Sequence, residues 1–211
     1  MTEITAIFSD VGGVLGSNGW DHQSRGKAAD LFRLDAAEFE ERHAKVADAF
    51  ECGKLDLDEY LRRTVFHRER PFTLQQFRDF MFAESQPFPP SLALMQEMAD
   101  SRRYFMATLN NESRELNLYR IERFGLRRSF SVFFSSGFLG VKKPDPAIYR
   151  LALEISARRP EECLFIDDRA PNVEVARQCG MRAVQFQNVG QLRKELRRAG
   201  LNRVSDGVRD T

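Results

Sequence analysis

Five short apolar runs along the chain have the length and composition of buried β-strands, and amphipathic or polar segments separate them. The runs are Ile4 to Ser9, Tyr104 to Thr108, Val132 to Ser135, Cys163 to Asp167 and Ala183 to Phe186. The last four recur at intervals of about 20 to 30 residues, with apolar positions at helical spacing between them. Strand alternating with helix at this interval is typical of crossover units in a parallel sheet. The pattern therefore predicts an α/β protein.

The long stretch between the first two predicted strands has the pattern of helices. Asp35 to Glu38 resembles a capping box, and Asp56 and Thr73 also precede apolar residues at helical spacing. Prolines interrupt the pattern where the chain returns to the sheet, at Pro87, Pro89 and Pro90. We therefore expect a small helical bundle inserted into the sheet domain.

Helices are also predicted between and after the remaining strands. Their ranges are Leu92 to Met98, Ser113 to Phe124, Pro146 to Ile155, Pro171 to Cys179 and Gln191 to Arg198. The polar tail from Asn202 to Thr211 has no periodicity and is expected to be frayed. An aromatic-rich face of the inserted segment is predicted to be either core or a dimer surface; it comprises Phe72, Phe77, Phe80 and Phe82.

Composition excludes several classes of function. The 211 residues carry a net charge of +1, so no overall field favours nucleic acid or a membrane surface. No apolar run approaches the length of about 18 residues that spans a bilayer, and the N-terminus lacks the regions of a secretory signal. The three scattered cysteines have no zinc-ligand spacing and favour a reducing cytoplasm. The basic run from Arg193 to Arg198 is interpreted as the solvated face of a helix.

Candidate chemistry lies where the predicted strands end. Asp10 follows the first apolar run, and open parallel sheets place their ligands beyond the carboxyl ends of the strands. Gly12 and Gly13 allow a sharp turn and a close approach of the backbone to a ligand. The alternative is a turn aspartate without a function.

Two adjacent acids, Asp167 and Asp168, end a buried run and repel each other unless a cation or a basic group offsets them. Hard oxygen ligands suit Mg²⁺, which takes one or two carboxylates and leaves other positions to water and phosphate. The alternative is capping of the next helix, with Pro171 in its first turn. A metal site is the favoured interpretation because Asp10 is also present.

Two further polar residues belong to this pattern. Lys143 precedes a strong helix-start signal in which Asp145 is the N-cap and Pro146 the first helical residue, so the lysine stem is held rigidly. Thr108 is predicted to end the second strand, where its hydroxyl can donate to a phosphate oxygen.

Taken in order, these residues resemble the four motifs of the haloacid dehalogenase (HAD) superfamily, namely Asp10, Thr108, Lys143 and the pair Asp167-Asp168. The stretch Ser136 to Asp145 is similar to the class with a helical cap between the first two motifs. The resemblance implies a Rossmann-like parallel sheet with helices on both faces. It also implies a core domain of residues 1–18 and 88–211, and a helical cap domain of residues 19–87.

The resemblance also implies the role of each residue. Asp10 attacks phosphorus and becomes an aspartyl phosphate, which water cleaves. Mg²⁺ is held by Asp10, the Gly12 carbonyl and Asp168, with Asp167 nearby. Asp168 is favoured because its spacing to Asn172 matches an acid pattern of the family, although Asn172 replaces the second acid. Lys143 neutralises the nucleophile and the phosphate, and further phosphate contacts come from Thr108, Leu109 and Asn110.

Two departures from the family pattern affect the expected activity. Gly12 stands where phosphatases of the family carry a second aspartate that serves as general acid and base, which predicts a slow enzyme unless another group, such as Asp21 or His22, replaces it. Leu109 stands where the related pattern often has Asn, and Asn110 or Asn111 then supplies that polar contact.

The leading hypothesis is a cytoplasmic, Mg²⁺-dependent phosphomonoester hydrolase that acts on a small phosphorylated metabolite such as a sugar phosphate. Neither nucleic acid nor a membrane is expected as a partner, and the protein is expected to be a monomer or a homodimer. Two alternatives stay open: a non-catalytic HAD-like domain that binds a phosphorylated ligand or a protein, and a 2-haloacid dehalogenase.

Overall fold

The computed structural model of this protein describes residues 2–201. Within that range five strands form one parallel sheet, in the order β3-β2-β1-β4-β5. The strands are β1 (Ala6–Ser9), β2 (Phe105–Asn110), β3 (Val132–Ser135), β4 (Cys163–Asp167) and β5 (Arg182–Gln185). Because all strands run in one direction, their carboxyl ends share one edge of the sheet, and β1 lies at its centre.

Helices connect these strands and cover the sheet. Four belong to the insertion that follows the first strand: α1 (His22–Leu31), α2 (Ala36–Glu51), α3 (Leu57–Thr64) and α4 (Leu74–Ala83). A fifth helix, α5 (Pro89–Asp100), leads into the second strand. The others are α6 (Arg114–Arg123), α7 (Ser136–Leu139), α8 (Pro146–Ser156), α9 (Ala170–Gln178) and α10 (Val189–Arg198).

Alternate residues of each strand face two separate apolar clusters. Ile7 of β1 faces one cluster, which includes Leu94 of α5 and Leu192 of α10. Phe8 faces the other cluster, with Tyr149 of α8 and residues of α9. A strand that is buried on both faces reads as a continuous apolar run, which is why these strands are visible in the sequence. The predicted Rossmann-like fold class is confirmed.

The four inserted helices pack around an aromatic cluster of their own. Phe77 is fully buried at its centre, and its ring lies 4.7 Å from that of Phe32 and 5.9 Å from that of Trp20, measured between centroids. Phe72 and Phe80 pack against the same cluster. The aromatic face of the inserted segment therefore points inward, which is the first of the two predicted alternatives. The division into core and cap domains at residues 18 and 88 stays a prediction.

The chain enters and leaves the inserted segment through two adjacent linkers. Ser17 N–H donates to the Gln86 carbonyl at 2.8 Å, and Phe88 N–H donates to the Leu15 carbonyl at 2.8 Å. The buried Arg120 side chain of α6 contacts both linkers: Nη2 donates to the Ser17 carbonyl at 2.8 Å and Nε to Ser85 Oγ at 3.1 Å. One core side chain therefore fixes both crossings.

The boundaries of several elements differ from the predictions. The second strand extends to Asn110 rather than ending at Thr108, because Leu109 and Asn110 continue the pairing with Phe134 and Ser135 of β3. Pro89 opens α5 instead of preceding it, since proline is tolerated in the first turn of a helix.

The capping box predicted at Asp35 is only half formed. The Asp35 carboxylate accepts from Glu38 N–H at 3.0 Å, whereas the Glu38 side chain contacts Arg42 at 3.2 Å and His67 at 3.0 Å. The charged neighbours draw the glutamate away from the cap. Thr73 and Gln76, in contrast, form a complete box at α4.

None of the helices within residues 2–201 is long and apolar enough to cross a membrane. The tail predicted to be frayed, Asn202 to Thr211, lies outside the described residues.

Replacing Phe77 with Ala is expected to lower the free energy of unfolding by about 3–5 kcal/mol, because it opens a cavity in the aromatic cluster. Urea denaturation followed by circular dichroism measures this change. The control is Phe138→Ala, since the Phe138 residue is 37% exposed. A loss of less than about 1 kcal/mol in Phe77→Ala would contradict the central position of that ring.

Candidate active site

The carboxyl edge of the sheet brings Asp10 beside the end of β4. Asp10 N–H donates to the Ile166 carbonyl at 2.8 Å, and its side chain Oδ1 accepts from Val11 N–H at 2.7 Å. The residue is 7% exposed. Burial raises the pKa of Asp10 to about 7, which the Lys143 ammonium opposes and the Asp167 carboxylate reinforces. An added cation would favour the ionised form of this carboxyl group.

Lys143 lies between two buried carboxylates. Its Nζ is 3.0 Å from Asp10 Oδ1 and 2.6 Å from Asp167 Oδ2. Burial lowers the pKa of Lys143, but Asp10 and Asp167 outweigh that effect and hold it above its ordinary value. The Asn111 side chain fixes the lysine backbone by accepting from Lys143 N–H and donating to the Lys143 carbonyl, both at 2.8 Å. The lysine is therefore charged and positioned from two directions.

The two adjacent acids have different surroundings. Asp167 is fully buried and saturated: besides Lys143, it accepts from Asn172 Nδ2 at 3.0 Å on both oxygens and from Arg169 N–H at 2.8 Å. Asp168 Oδ1, in contrast, is buried and has no hydrogen-bond partner among residues 2–201. Burial and the neighbouring Asp167 raise the pKa of Asp168.

Asp10, Asp167 and Asp168 each offer a carboxylate oxygen, and these oxygens lie within 4.8 Å of one another. Carboxylate oxygens are the ligands that Mg²⁺ prefers, and the orphaned Asp168 oxygen is available for one. The residues present therefore fit a divalent cation.

Glycine at position 13 allows the close approach of Asp168. Gly13 has a φ of +72°, and a Cβ built there would lie 2.3 Å from Asp168 Oδ2. Any side chain at this position would displace the carboxylate. Gly12 is different, because a Cβ at that residue would have its nearest neighbour 3.5 Å away.

The residues predicted to bind phosphate are not all brought together. Thr108 is fully buried, its hydroxyl has no partner within the described part of the chain, and it does not line the cleft above Asp10. Leu109 packs in the apolar core, and Asn110 donates to Asn117 Oδ1 at 3.0 Å beneath the surface. Of the four predicted phosphate ligands, only Lys143 lines the cleft.

That cleft has a volume of about 770 Å³ and opens above the carboxyl edge of the sheet. On the sheet side it is lined by Asp10, Gly12, Asn111, Glu112, Lys143 and Asp168. From the inserted segment it is lined by Trp20, Asp21, His22, Arg25, His43 and Phe50. Sequence reasoning missed Glu112, although its position directly after two asparagines at a strand end was a usable signal.

A buried hydrogen-bond chain reaches one cleft residue. Trp20 Nε1–H donates to the Tyr60 hydroxyl at 2.7 Å, and that hydroxyl lies 2.8 Å from His43 Nδ1. An indole N–H only donates, so Tyr60 accepts from Trp20 and shares a hydrogen bond with His43. Burial and the Arg25 guanidinium lower the pKa of His43 to about 4, so this ring is neutral at pH 7.

The two candidate proton donors named from the sequence, Asp21 and His22, have separate contacts, as does the neighbouring Arg25. Asp21 caps α1 by accepting from Ser24 N–H at 2.8 Å. The His22 side chain is 83% exposed and lies 3.5 Å from Glu40. Arg25 is engaged twice by Glu40, at 2.7 and 3.0 Å, and donates to the Trp20 carbonyl at 2.8 Å.

The model of the haloacid dehalogenase-like hydrolases matches residues 4–180 of this chain. The chain belongs to this family. A solved HAD family enzyme from Bacteroides thetaiotaomicron, in complex with magnesium and inorganic phosphate, has the same fold with a TM-score of 0.73. It is 19% identical, and the match covers 90% of this chain and 98% of that one.

Two phosphatases are similar to this HAD hydrolase in sequence. The chloroplastic flavin mononucleotide hydrolase 1 of Arabidopsis thaliana is 30% identical over 161 residues, which are 76% of this chain and 64% of that protein. A phosphoserine phosphatase of Thermus thermophilus is 31% identical over 117 residues, 54% of this chain and 47% of that one. The chain thus spans less than two thirds of the length of these curated relatives.

Magnesium is expected to raise the melting temperature of this HAD hydrolase, and the rise is expected to vanish in Asp168→Ala. A ligand at 100 times its dissociation constant stabilises the folded state by about 2.7 kcal/mol. Differential scanning calorimetry with and without Mg²⁺ measures the shift. The control is Asp79→Ala, on the exposed face of α4. An equal Mg²⁺-dependent shift in Asp168→Ala would contradict a ligand role for Asp168.

Acid is expected to destabilise the protein in part through His43. Its folded pKa of about 4 lies below the unfolded value of 6.5, so the unfolded state takes up the proton first as the pH falls between these values. The difference in free energy of unfolding between the wild type and His43→Gln should therefore shrink from pH 7 to pH 4, as measured by urea denaturation. The matched variant is His22→Gln, and a constant difference for His43→Gln would contradict the buried neutral ring.

Proposed function

We propose that this HAD hydrolase is a Mg²⁺-dependent phosphomonoester hydrolase that acts through an aspartyl phosphate on Asp10. The observation that carries the proposal is the convergence of Asp10, Lys143 and Asp168 at one end of a large cleft. A nucleophile, a cation site and a fixed positive charge are the equipment that phosphoryl transfer needs.

In this proposal Asp10 supplies the attacking oxygen. Its Oδ1 is held by Val11 N–H and Lys143, which leaves Oδ2 as the oxygen that attacks phosphorus. Lys143 offsets the negative charge that accumulates as the anionic phosphate approaches a carboxylate. Each Asp167 oxygen already accepts two hydrogen bonds, so we assign this residue the role of orienting Lys143.

Asp10 and Asp168 would hold Mg²⁺, and the Gly12 carbonyl is the third ligand that we assign. When bound, the ion neutralises charge on the transferring phosphoryl group. The phosphate contacts of Thr108, Leu109 and Asn110 stay predictions; Asn111, the other asparagine named from the sequence, lines the cleft.

The substrate class that we propose is a small phosphorylated metabolite. The similar proteins are named as hydrolases of flavin mononucleotide and of phosphoserine, which are both small phosphomonoesters. A cleft of about 770 Å³ has room for a substrate of this size. The inserted helices carry the cleft wall that faces the alcohol part of the substrate, which is the role proposed for a cap of residues 19–87. The cytoplasmic location and the monomeric or homodimeric state stay predictions.

One observation favours a second candidate, a non-catalytic domain that binds a phosphorylated ligand. Gly12 offers no side chain where the family pattern has a general acid and base. The enzyme is favoured because Asp10, Lys143 and Asp168 are all present and lie together at the cleft. A binding domain would not need a nucleophile.

Release of p-nitrophenol from p-nitrophenyl phosphate is expected to require Mg²⁺ and to fall at least about a thousandfold in Asp10→Asn, because the variant lacks the nucleophile. A spectrophotometric assay with and without EDTA measures it, and Asp79→Asn serves as the control. Turnover that survives both EDTA and Asp10→Asn would contradict the proposal. Binding of a phosphate mimic without turnover would favour the second candidate, and halide release in EDTA would favour a dehalogenase.

A further inference from the structure

Hydrolysis of an alkyl phosphate requires a proton donor in the cleft, because an alkoxide is a poor leaving group. Position 12, two residues after Asp10, is glycine and has no side chain that could donate a proton. Asp10 is assigned as the nucleophile, and Lys143 is held between two carboxylates. The donor must therefore come from another element of the fold.

Three other polar side chains of the cleft are poor proton donors, because of their hydrogen bonds, their low acidity or their exposure to solvent. Asp21 is occupied as the N-cap of α1. His43 is a neutral ring that shares a hydrogen bond with Tyr60, and the N–H of a neutral imidazole is a very weak acid. His22 extends into solvent with its side chain 83% exposed.

Glu112 is a buried carboxyl group at the cleft that could donate a proton. It follows β2 at the carboxyl edge, lines the cleft and is 7% exposed. Oε1 accepts from Ser113 N–H at 3.0 Å, and Oε2 lies 3.5 Å from Arg120 Nη1, which is too long for a strong hydrogen bond. One carboxyl oxygen is therefore weakly engaged beside the cleft.

Arg120 connects the Glu112 carboxyl group with the space beside Gly12. A Cβ built on Gly12 would lie 3.7 Å from Arg120 Nη1, the same nitrogen that faces Glu112 Oε2. Gly19, with a φ of +75°, makes room for this arrangement, since a Cβ there would lie 2.7 Å from both Glu112 Oε2 and Arg120 Nη2. Glu112 and a side chain at position 12 would thus meet the same guanidinium group.

The electrostatic surroundings also allow Glu112 to hold a proton. Burial raises the pKa of Glu112; the Arg120 charge and the Ser113 N–H oppose this, and Glu51 adds to it. A general acid must be protonated in part at the working pH, and a carboxyl group on water-exposed surface is not.

We propose that Glu112 is the general acid and base of the hydrolase; this inference rests on the proposed function. Its carboxyl proton passes to the ester oxygen as the P–O bond breaks, so the alcohol leaves and Asp10 carries the phosphoryl group. The Glu112 carboxylate then takes a proton from water as that water attacks the aspartyl phosphate. Inorganic phosphate and the Asp10 carboxylate are released, and the Glu112 proton is restored. The substrates that need this residue are esters of alkyl alcohols.

Substrates with different leaving groups test this role. In Glu112→Gln, kcat/KM for glycerol phosphate is expected to fall about 10²–10⁴-fold, which is the usual contribution of general acid catalysis. For p-nitrophenyl phosphate kcat/KM should stay within about threefold, because nitrophenolate leaves without a proton. The matched control is Glu122→Gln, an exposed glutamate of α6 that pairs with Arg127. It should leave both substrates unchanged.

The second half of the reaction gives an independent readout. Rapid mixing of Glu112→Gln with p-nitrophenyl phosphate should release one equivalent of nitrophenol per enzyme in a burst, followed by slow turnover, because the aspartyl phosphate lacks its base. Gly12→Asp in the Glu112→Gln background should restore part of the glycerol phosphate activity, since the space at position 12 admits a side chain.

The outcomes separate the inference from the proposed function. Equal loss for both substrates, or no loss for either, overturns the role of Glu112 while the phosphatase stands. A wild type that releases no phosphate from any substrate with Mg²⁺ overturns the proposed function instead. If Glu112→Gln does not fold by circular dichroism, Glu112→Asp retains the charge with a shorter reach. The same selective loss on glycerol phosphate is then expected, and its absence is decisive.

Discussion

Three carboxylates and one ammonium meet at the carboxyl edge of the sheet, and the geometry of the cleft depends on their balance. Lys143 Nζ lies 3.0 Å from Asp10 and 2.6 Å from Asp167, with Asp168 next to them. When all are ionised, three negative charges face one positive charge, and an excess of two remains. Removing one partner of a buried pair typically costs about 3–5 kcal/mol, because an uncompensated charge stays behind. A divalent cation would offset these two charges. The composition of the site therefore favours a bound Mg²⁺.

The inserted helices are coupled to this centre by the chain itself. The first linker begins only a few residues after Asp10, and it lies against the return linker through the Ser17–Gln86 hydrogen bond. Arg120 donates to Ser17 and Ser85, and the same guanidinium faces Glu112. Lys142 also pairs with Glu51 of α2 at 2.7 Å, and both residues line the cleft. A movement of the insertion relative to the sheet would therefore change contacts that border the cleft.

The sequence predicted the strands and the acids at their ends because these depend on short local patterns. Asp10, Lys143 and Asp168 each follow or precede a recognisable element, and the structure brings them together. The strand end was misplaced by two residues, because β2 continues to Asn110; Thr108 pairs with Ser9 inside the sheet, and its phosphate contact stays a prediction. Arg120 was not predictable, because a buried arginine is explained only by partners that are distant along the chain.

The glycines after Asp10 show how local and distant constraints combine. Gly13 is required where it stands, since Asp168 occupies the space of any side chain. Gly12 is not required by its surroundings, because neighbours at 3.5 Å and beyond leave room for a Cβ. Packing around a Cβ therefore does not explain the glycine at this position. A carboxyl group at position 12 would bring a second negative charge to a guanidinium that Glu112 already faces. The proton donor that we propose, Glu112, lies instead after the end of β2, next to the arginine that contacts both linkers.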